Sequence, residues 1–336
     1  MKTKCLQIAV LFAAVFTSFC CEGGRRDGYL KSLRLVPEVL SPIDSIDLEA
    51  AGIFSPTLLI KRGGWFLTRD TKGDYNVTAF NPTNGEVLHF LPYGRGIGEI
   101  SMKGRLSEPS GLVSVHDFGT NTVVSLKVRE SIEQKEQVLD TISQFVGNMT
   151  YVNPLFCKSG FIATSFKDAR VWYYLIDTEG KELSSVPAIS NGLLRKEEDP
   201  AMSMVNSILT VSPDGDKVCS AAMGLTALSF SSIDGGLLKE NHRVEIPGQE
   251  DSKTITNFTG LCSDNEYVYV LYSGKPFNTS RNESEWLVVY NWRGKPIKCY
   301  KLTHSALSVT IEGNKIYCTT ESPYSTIFVY RLDRIE

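Results

Sequence analysis

Apolar residues in this chain come in short alternating runs, and the runs come in pairs. A turn leads into a short apolar strand, a gap follows, and a second short strand ends on an aromatic residue or leucine. The first strands centre on Phe66, Val113, Ile162, Val218, Val268 and Ile316. The second end near Phe80, Leu126, Tyr174, Phe230, Tyr290 and Tyr330. Alternation with a period of two is the mark of a strand that buries one side chain in every pair. Each series runs from its first to its sixth member with a mean period of about 50 residues, within the range of β-propeller blades. The pattern predicts an all-β chain folded as a six-bladed β-propeller.

Turn residues punctuate the repeat. Asn81-Pro82-Thr83-Asn84-Gly85, Asp177-Thr178-Glu179-Gly180, Asp234-Gly235-Gly236 and Asn291-Trp292-Arg293-Gly294 each follow a second strand. Each begins on an Asx residue and closes on Gly, which accepts positive φ, so each suits a hairpin. A more polar strand follows, as in Lys181–Val186 and Lys295–Leu302. Ser212-Pro213-Asp214-Gly215 and Glu312-Gly313-Asn314 read as tight turns before the first anchor of their blades. The fifth repeat is longer than the others. Ser273 to Glu285 holds an extra polar loop, which a surface hairpin tolerates at small entropic cost.

Helix signals are sparse. Arg129 to Gln144 is polar enough for a helix but poorly periodic, so an outer strand with a long loop suits it equally. The last repeat ends early. After a strand near Thr326–Leu332 only Asp333–Glu336 remain, too few for a fourth strand. An open sheet edge invites aggregation. Part of Leu33–Leu48 is therefore expected to pair there and close the ring, with 33–336 forming the propeller.

The start of the chain is a separate object. Lys2 and Lys4 precede an apolar run from Leu6 to Phe16, interrupted only by Gln7. That run falls short of the roughly 20 residues a membrane-spanning helix needs, and it fits the core of a signal peptide. It ends in Thr17-Ser18-Phe19-Cys20-Cys21. Small residues before a cysteine resemble the bacterial lipobox, and Cys21 is the expected site of lipid attachment, with 1–20 as lipoprotein signal peptide. Residues 21–32 are polar and rich in Gly and Arg, as in a tether.

Composition narrows the partners. The chain has 336 residues, 42% of them hydrophobic, and a formal charge of −3. No Lys/Arg block stands out, which argues against nucleic acid, whose binding requires a cationic surface. Five further cysteines, Cys157, Cys219, Cys262, Cys299 and Cys318, are widely spaced without a C-x-x-C pair. They read as buried small hydrophobes. Zinc would ask for closely paired ligands, and disulfide pairing is open at this stage.

Motifs that carry chemistry are few. Gly94-Arg95-Gly96-Ile97-Gly98-Glu99 lacks the Lys of a phosphate loop and the third Gly of a dinucleotide fingerprint. It reads as an irregular loop between blades. The run resembles the G-x-G-P-G-E segment in the first blade of TolB-like six-bladed propeller lipoproteins of Bacteroides-type bacteria, with Ile97 in place of Pro. Ser212-Pro213-Asp214-Gly215 is similar to the S-P-D-G turn of TolB-type blades, and Val288–Pro296 to that family's late aromatic-turn-glycine run. The resemblance implies the propeller fold and a cell-envelope, outer-membrane lipoprotein location. It implies no reaction and no catalytic residue.

Two acidic residues, Asp70 and Asp117, end first-anchor strands, beside Arg69 and His116 respectively. These four are the candidate channel-facing ligand residues. The bland alternative is that the carboxylates cap strands or turns. The four histidines fall in different repeats without a metal-binding pair. Short D-[ST]-apolar runs at Asp44–Ile46 and Asp140–Ile142 resemble O-glycosylation signals of Bacteroides-type envelope proteins. The function expected is recognition: a membrane-anchored monomer that binds a protein or glycan partner through one face of its disc, without a cofactor. The alternative is a calcium-dependent hydrolase or lyase that uses the central channel. A broad apolar or aromatic face would favour the first, channel-directed acids with bound calcium the second.

Overall fold

The computed structural model describes residues 27–102, 105–107, 112–145, 151–166, 168–189, 206–246, 255–276, 284–320 and 325–333. The leader, Cys21 and the first part of the expected tether lie outside them. The described residues fall into two compact units, divided between Leu35 and Val36. In the first, Asp27–Leu33 is a short helix, α1. It overlaps the stretch 21–32 read as a tether and ends on Leu33, the first residue read as propeller; Tyr29 to Leu33 contains no Gly or Pro to break a helical turn.

The second unit is the propeller. Its N-terminal segment supplies β1 (Glu38–Leu40) and β2 (Asp44–Asp47). Blade one follows as β3 (Pro56–Arg62), β4 (Trp65–Asp70), β5 (Tyr75–Asn81) and β6 (Glu86–Pro92). Blade two is β7 (Arg105–Ser107), β8 (Val113–Asp117), β9 (Thr122–Leu126) and β10 (Leu139–Gln144). Blade three is β11 (Tyr151–Cys157), β12 (Gly160–Ser165), β13 (Val171–Ile176) and β14 (Glu182–Pro187). Blade four is β15 (Ser207–Val211), β16 (Lys217–Ala222), β17 (Ala227–Asp234) and β18 (Leu237–Glu245). Blade five is β19 (Ile255–Ser263), β20 (Tyr267–Pro276), β21 (Ser284–Asn291) and β22 (Pro296–Ala306). Blade six holds β23 (Ser308–Glu312), β24 (Lys315–Thr319) and β25 (Thr326–Arg331). The chain is thus a six-bladed β-propeller of antiparallel meanders.

The repeating anchors sit at the centre of every sheet, on its second and third strands. Phe66 pairs with Phe80, Val113 with Leu126, Val268 with Tyr290, and Ile316 with Tyr330. In blades three and four the partners are offset by one residue. Central strands are covered on both faces by neighbouring blades, so they are buried on both sides, as in the apolar Val171–Ile176, where only Val171 is not fully buried.

The N-terminal segment serves two sheets. β2 pairs antiparallel with β25, from Asp44–Val329 to Asp47–Thr326, and forms the outermost strand of the sixth sheet. β1 adds to the fifth sheet, parallel to β22 through Glu38–Tyr300. This fifth strand has no counterpart in the repeat pattern. The ambiguous Arg129–Gln144 stretch divides: Val128–Gln134 is a helix, α2, and β10 follows.

Blade-to-blade packing holds the disc. Where blades six and one meet, Leu48, Ile53, Leu59, Phe66, Tyr317 and Ile327 form one buried cluster. Phe66 and Tyr317 meet edge to face at 5.2 Å between centroids, a geometry worth about 1 kcal/mol beyond area burial. Lys61, its side chain only 8% exposed, lies over Phe66 and reaches Glu312 of blade six at 3.3 Å.

Meander topology defines two disc faces. One carries the connectors between blades and the turns between second and third strands, and is called here the connector face. The other carries the turns between first and second and between third and fourth strands, and is the hairpin face.

Candidate functional site

The innermost strands are β3, β7, β11, β15, β19 and β23, each the edge of its sheet. They enclose a central channel of about 480 Å³. Consecutive residues line it, among them Thr57–Gly63, Ile208–Val211, Thr259–Asp264 and Leu307–Gly313. Side chains alternate along a strand. Runs of neighbouring positions therefore mean that the wall is built from backbone edges.

The four candidate residues occupy matching places. Asp70 lies four residues after the Phe66 anchor, and Asp117 four after Val113. Both are buried. The channel-lining set includes none of the four. The Asp70 carboxylate accepts the backbone N–H groups of Phe54 at 3.0 Å, Ser55 at 3.1 Å and Lys72 at 3.0 Å. Asp117 accepts the Ser101 N–H at 2.7 Å, the Ser101 hydroxyl at 2.8 Å and the Gly119 N–H at 3.0 Å. Phe54, Ser55 and Ser101 belong to the connectors leading into blades one and two. Each carboxylate thus ties a connector to the turn beside it. Burial works to raise the Asp117 carboxyl, but hydrogen bonds from Ser101, Thr120 and Gly119 prevail and hold it below the ordinary value. A Cβ at Gly119 would stand 2.6 Å from the Ser101 hydroxyl, so a larger residue there would press on the side chain that the carboxylate holds.

Arg69 donates from Nε to Thr57 Oγ1 at 3.1 Å, and Thr57 lines the channel. Burial lowers its pKa, with the neighbouring Tyr93 opposing. His116 is buried against Phe118 and Phe145, and burial pushes its pKa down. Its Nε2 faces Asn121 Oδ1 at 3.5 Å. The structure brings each acid to its neighbouring connector. It does not gather the four around the channel.

A calcium ion asks for six to eight oxygen ligands. Among the described residues no group of three or more His, Cys, Asp or Glu is placed to share a metal. N–H donors already occupy the carboxylates of Asp70 and Asp117. Of the five cysteines among the described residues, Cys157, Cys219, Cys299 and Cys318 are buried free thiols. Burial pushes the Cys157 and Cys299 thiols up to about 11, which keeps them protonated and poor nucleophiles.

The Gly94–Glu99 run is a closed loop. Glu99 Oε2 accepts the Gly96 N–H at 2.7 Å, and the Gly94 N–H bonds to the Ile100 carbonyl at 3.1 Å. The Glu99 carboxylate folds so tightly against Gly94 that a Cβ there would collide with it. From α2's far side, Gln137 accepts the Leu91 N–H at 2.7 Å and donates to the Gly98 carbonyl at 3.0 Å. This loop holds Ile97 out into solvent, 92% exposed.

Ile97 is not alone. Of the twelve large hydrophobic residues exposed among the described residues, six lie on the connector face of blades one to three. They are Phe54, Tyr75, Ile97, Met102, Phe118 and Phe166. The set includes every exposed large aromatic among the described residues. The hairpin face shows Leu237. Sequence reasoning missed this arc. Each member is an isolated apolar residue at a turn, and only topology reveals that they share a face.

No family model and no curated protein matches the sequence. Solved structures do. The β-propeller domain of Cps50 (Swd1) from Myceliophteria thermophila is similar at a TM-score of 0.55 and 9% identity, covering 88% of this chain and 100% of that one. A protein from Lactobacillus plantarum gives 0.50 at 12% identity, covering 83% and 81%. At such identities the likeness establishes the propeller fold alone.

Proposed function

We propose that this protein is a membrane-tethered lipoprotein of the cell envelope, of the TolB-like kind, that binds a protein partner through its connector face and catalyses no reaction. The apolar arc from Phe54 to Phe166 carries the reading. Exposed apolar patches mark interaction sites, and these six side chains, on one face of three successive blades, are the material for one. Loops on a rigid scaffold are the usual place for such a role. Ile97 and Met102 offer no flat π face to a sugar ring, so a protein suits the arc better than a glycan. Tethering at Cys21 would keep the disc near the membrane while leaving it free to turn.

Extraction in mild detergent followed by affinity capture tests the reading. The Ile97→Asp, Phe118→Asp double variant is expected to lose a partner that the wild type and Leu237→Asp both retain. Retention by the double variant at wild-type levels would overturn it. Replacing Cys21 by Ala is expected to move the protein from the membrane to the soluble fraction. Unchanged fractionation would refute the anchor assignment and leave the face in play.

A further inference from the structure

We infer that Asp70 and Asp117 are positioning residues: their carboxylates clamp the connectors into blades one and two, so that Phe54 and Met102 stand out from the connector face. The inference rests on the reading of that face as the binding surface. It assigns a task to two buried acids that the fold could otherwise do without.

Three observations converge. First, the clamps recur at one structural position. The residue four beyond the first anchor is Asp in blades one and two, and Phe166, Ala222, Tyr272 and Thr320 in blades three to six. Nothing in the meander demands a carboxylate there. Second, each clamp grips a residue at or next to an exposed apolar side chain. Asp70 holds the N–H of Phe54 itself. Asp117 holds Ser101, whose neighbour is Met102, and Gly119, whose neighbour is Phe118. Third, the contacts suit a charged acceptor. Every donor is an N–H or O–H aimed at the oxygens, and hydrogen bonds to an ionised group are about twice as strong as neutral ones. A connector held this way is ordered before any partner arrives, which spares part of the ordering cost of binding.

Asp→Asn at these positions keeps size and shape but turns one acceptor into an NH2 donor that faces another donor. Hydrogen exchange on the intact protein reads the result. In Asp70→Asn, exchange in residues 53–56 is expected to rise at least tenfold, and in Asp117→Asn the same in residues 99–102. Exchange across β4 and β5 stays at the wild-type rate. Capture of the partner falls in both variants, and Asp→Glu at either site restores it in part. Unchanged exchange in the two connectors would overturn the inference. A rise spread evenly over all six blades would also overturn it, by making the acids ordinary supports of the whole disc. So would a calcium-dependent rise in melting midpoint that the double Asn variant abolishes, because the carboxylates would then be metal ligands. If the wild type captures no partner, the proposed function fails on its own, and the exchange data still decide whether the clamps exist.

Discussion

The two faces of the disc are held together by different physics. On the hairpin face the chain reverses through short turns that close on their own local bonds, and a few bonds, such as Lys158 N–H to the Gly215 carbonyl and Trp292 Nε1–H to the Asp264 carbonyl, then tie one turn to another. Asn81, Asp177 and Asn291 each accept an N–H two residues ahead through the side-chain oxygen. Gly85, Gly180 and Gly294 then close their turns with positive φ. On the connector face of blades one and two, side chains that also make local bonds reach far along the chain to hold irregular connectors. Asp70 reaches back 16 residues to Phe54, Asp117 reaches 16 to Ser101, and Gln137 reaches 46 to Leu91. Local turns serve folding and expose little that is apolar. The long-range clamps instead hold irregular segments in place, and those segments carry exposed Phe, Ile and Met. A face that served only to join strands would have no need of such clamps.

If this contrast is right, damage should sort by place. The largest effect is expected at the rim, which belongs to neither face. Deleting residues 36–48 removes β1 and β2 and bares the edges of β22 and β25. Insoluble or oligomeric protein should result. A monomer with an unchanged melting midpoint would mean that β2 does not complete the sixth sheet.

Next in size is a substitution at a hairpin-face glycine. Gly160 has φ of 134°, and a Cβ there would collide with the Ile176 carbonyl oxygen, a backbone atom that cannot swing aside. Gly160→Ala is expected to cost about 3 kcal/mol, seen as a lower midpoint in thermal melts. Partner capture per folded molecule should stay at the wild-type level. Lost capture without lost stability would erase the distinction between the faces.

The smallest effect concerns acid. The Asp117 carboxyl titrates below its ordinary value in the folded protein. Its contribution is therefore complete above the unfolded value of about 3.9, and is lost as pH falls through the lower folded value. Exchange at the Ser101 amide, corrected for the intrinsic pH dependence, should stay flat from neutral pH to about 5 and rise only below 4. A rise centred well above 5 would mean that the carboxylate is not held by these hydrogen bonds.

The same contrast explains what could be read from the sequence. Six blades were legible because period-two alternation and Asx–Gly turns are local signals, and the anchors they marked are direct ladder partners in four blades. Asp70 and Asp117 were conspicuous by type and position, yet their partners were not, since a bond across 16 residues leaves no spacing to recognise. The Gly94–Glu99 run was visible, but not the reason for it: Glu99 folds back onto its own glycines. β1 was invisible for a related cause. Three residues joining the fifth sheet in parallel repeat nothing else in the chain.

Placing a photo-crosslinking side chain at position 97, and in a second variant at position 237, in living cells tests the central claim most directly. The account predicts a discrete protein adduct from position 97 and none from position 237. Equal adducts from both positions, or an adduct from position 237 alone, would contradict recognition through the connector face.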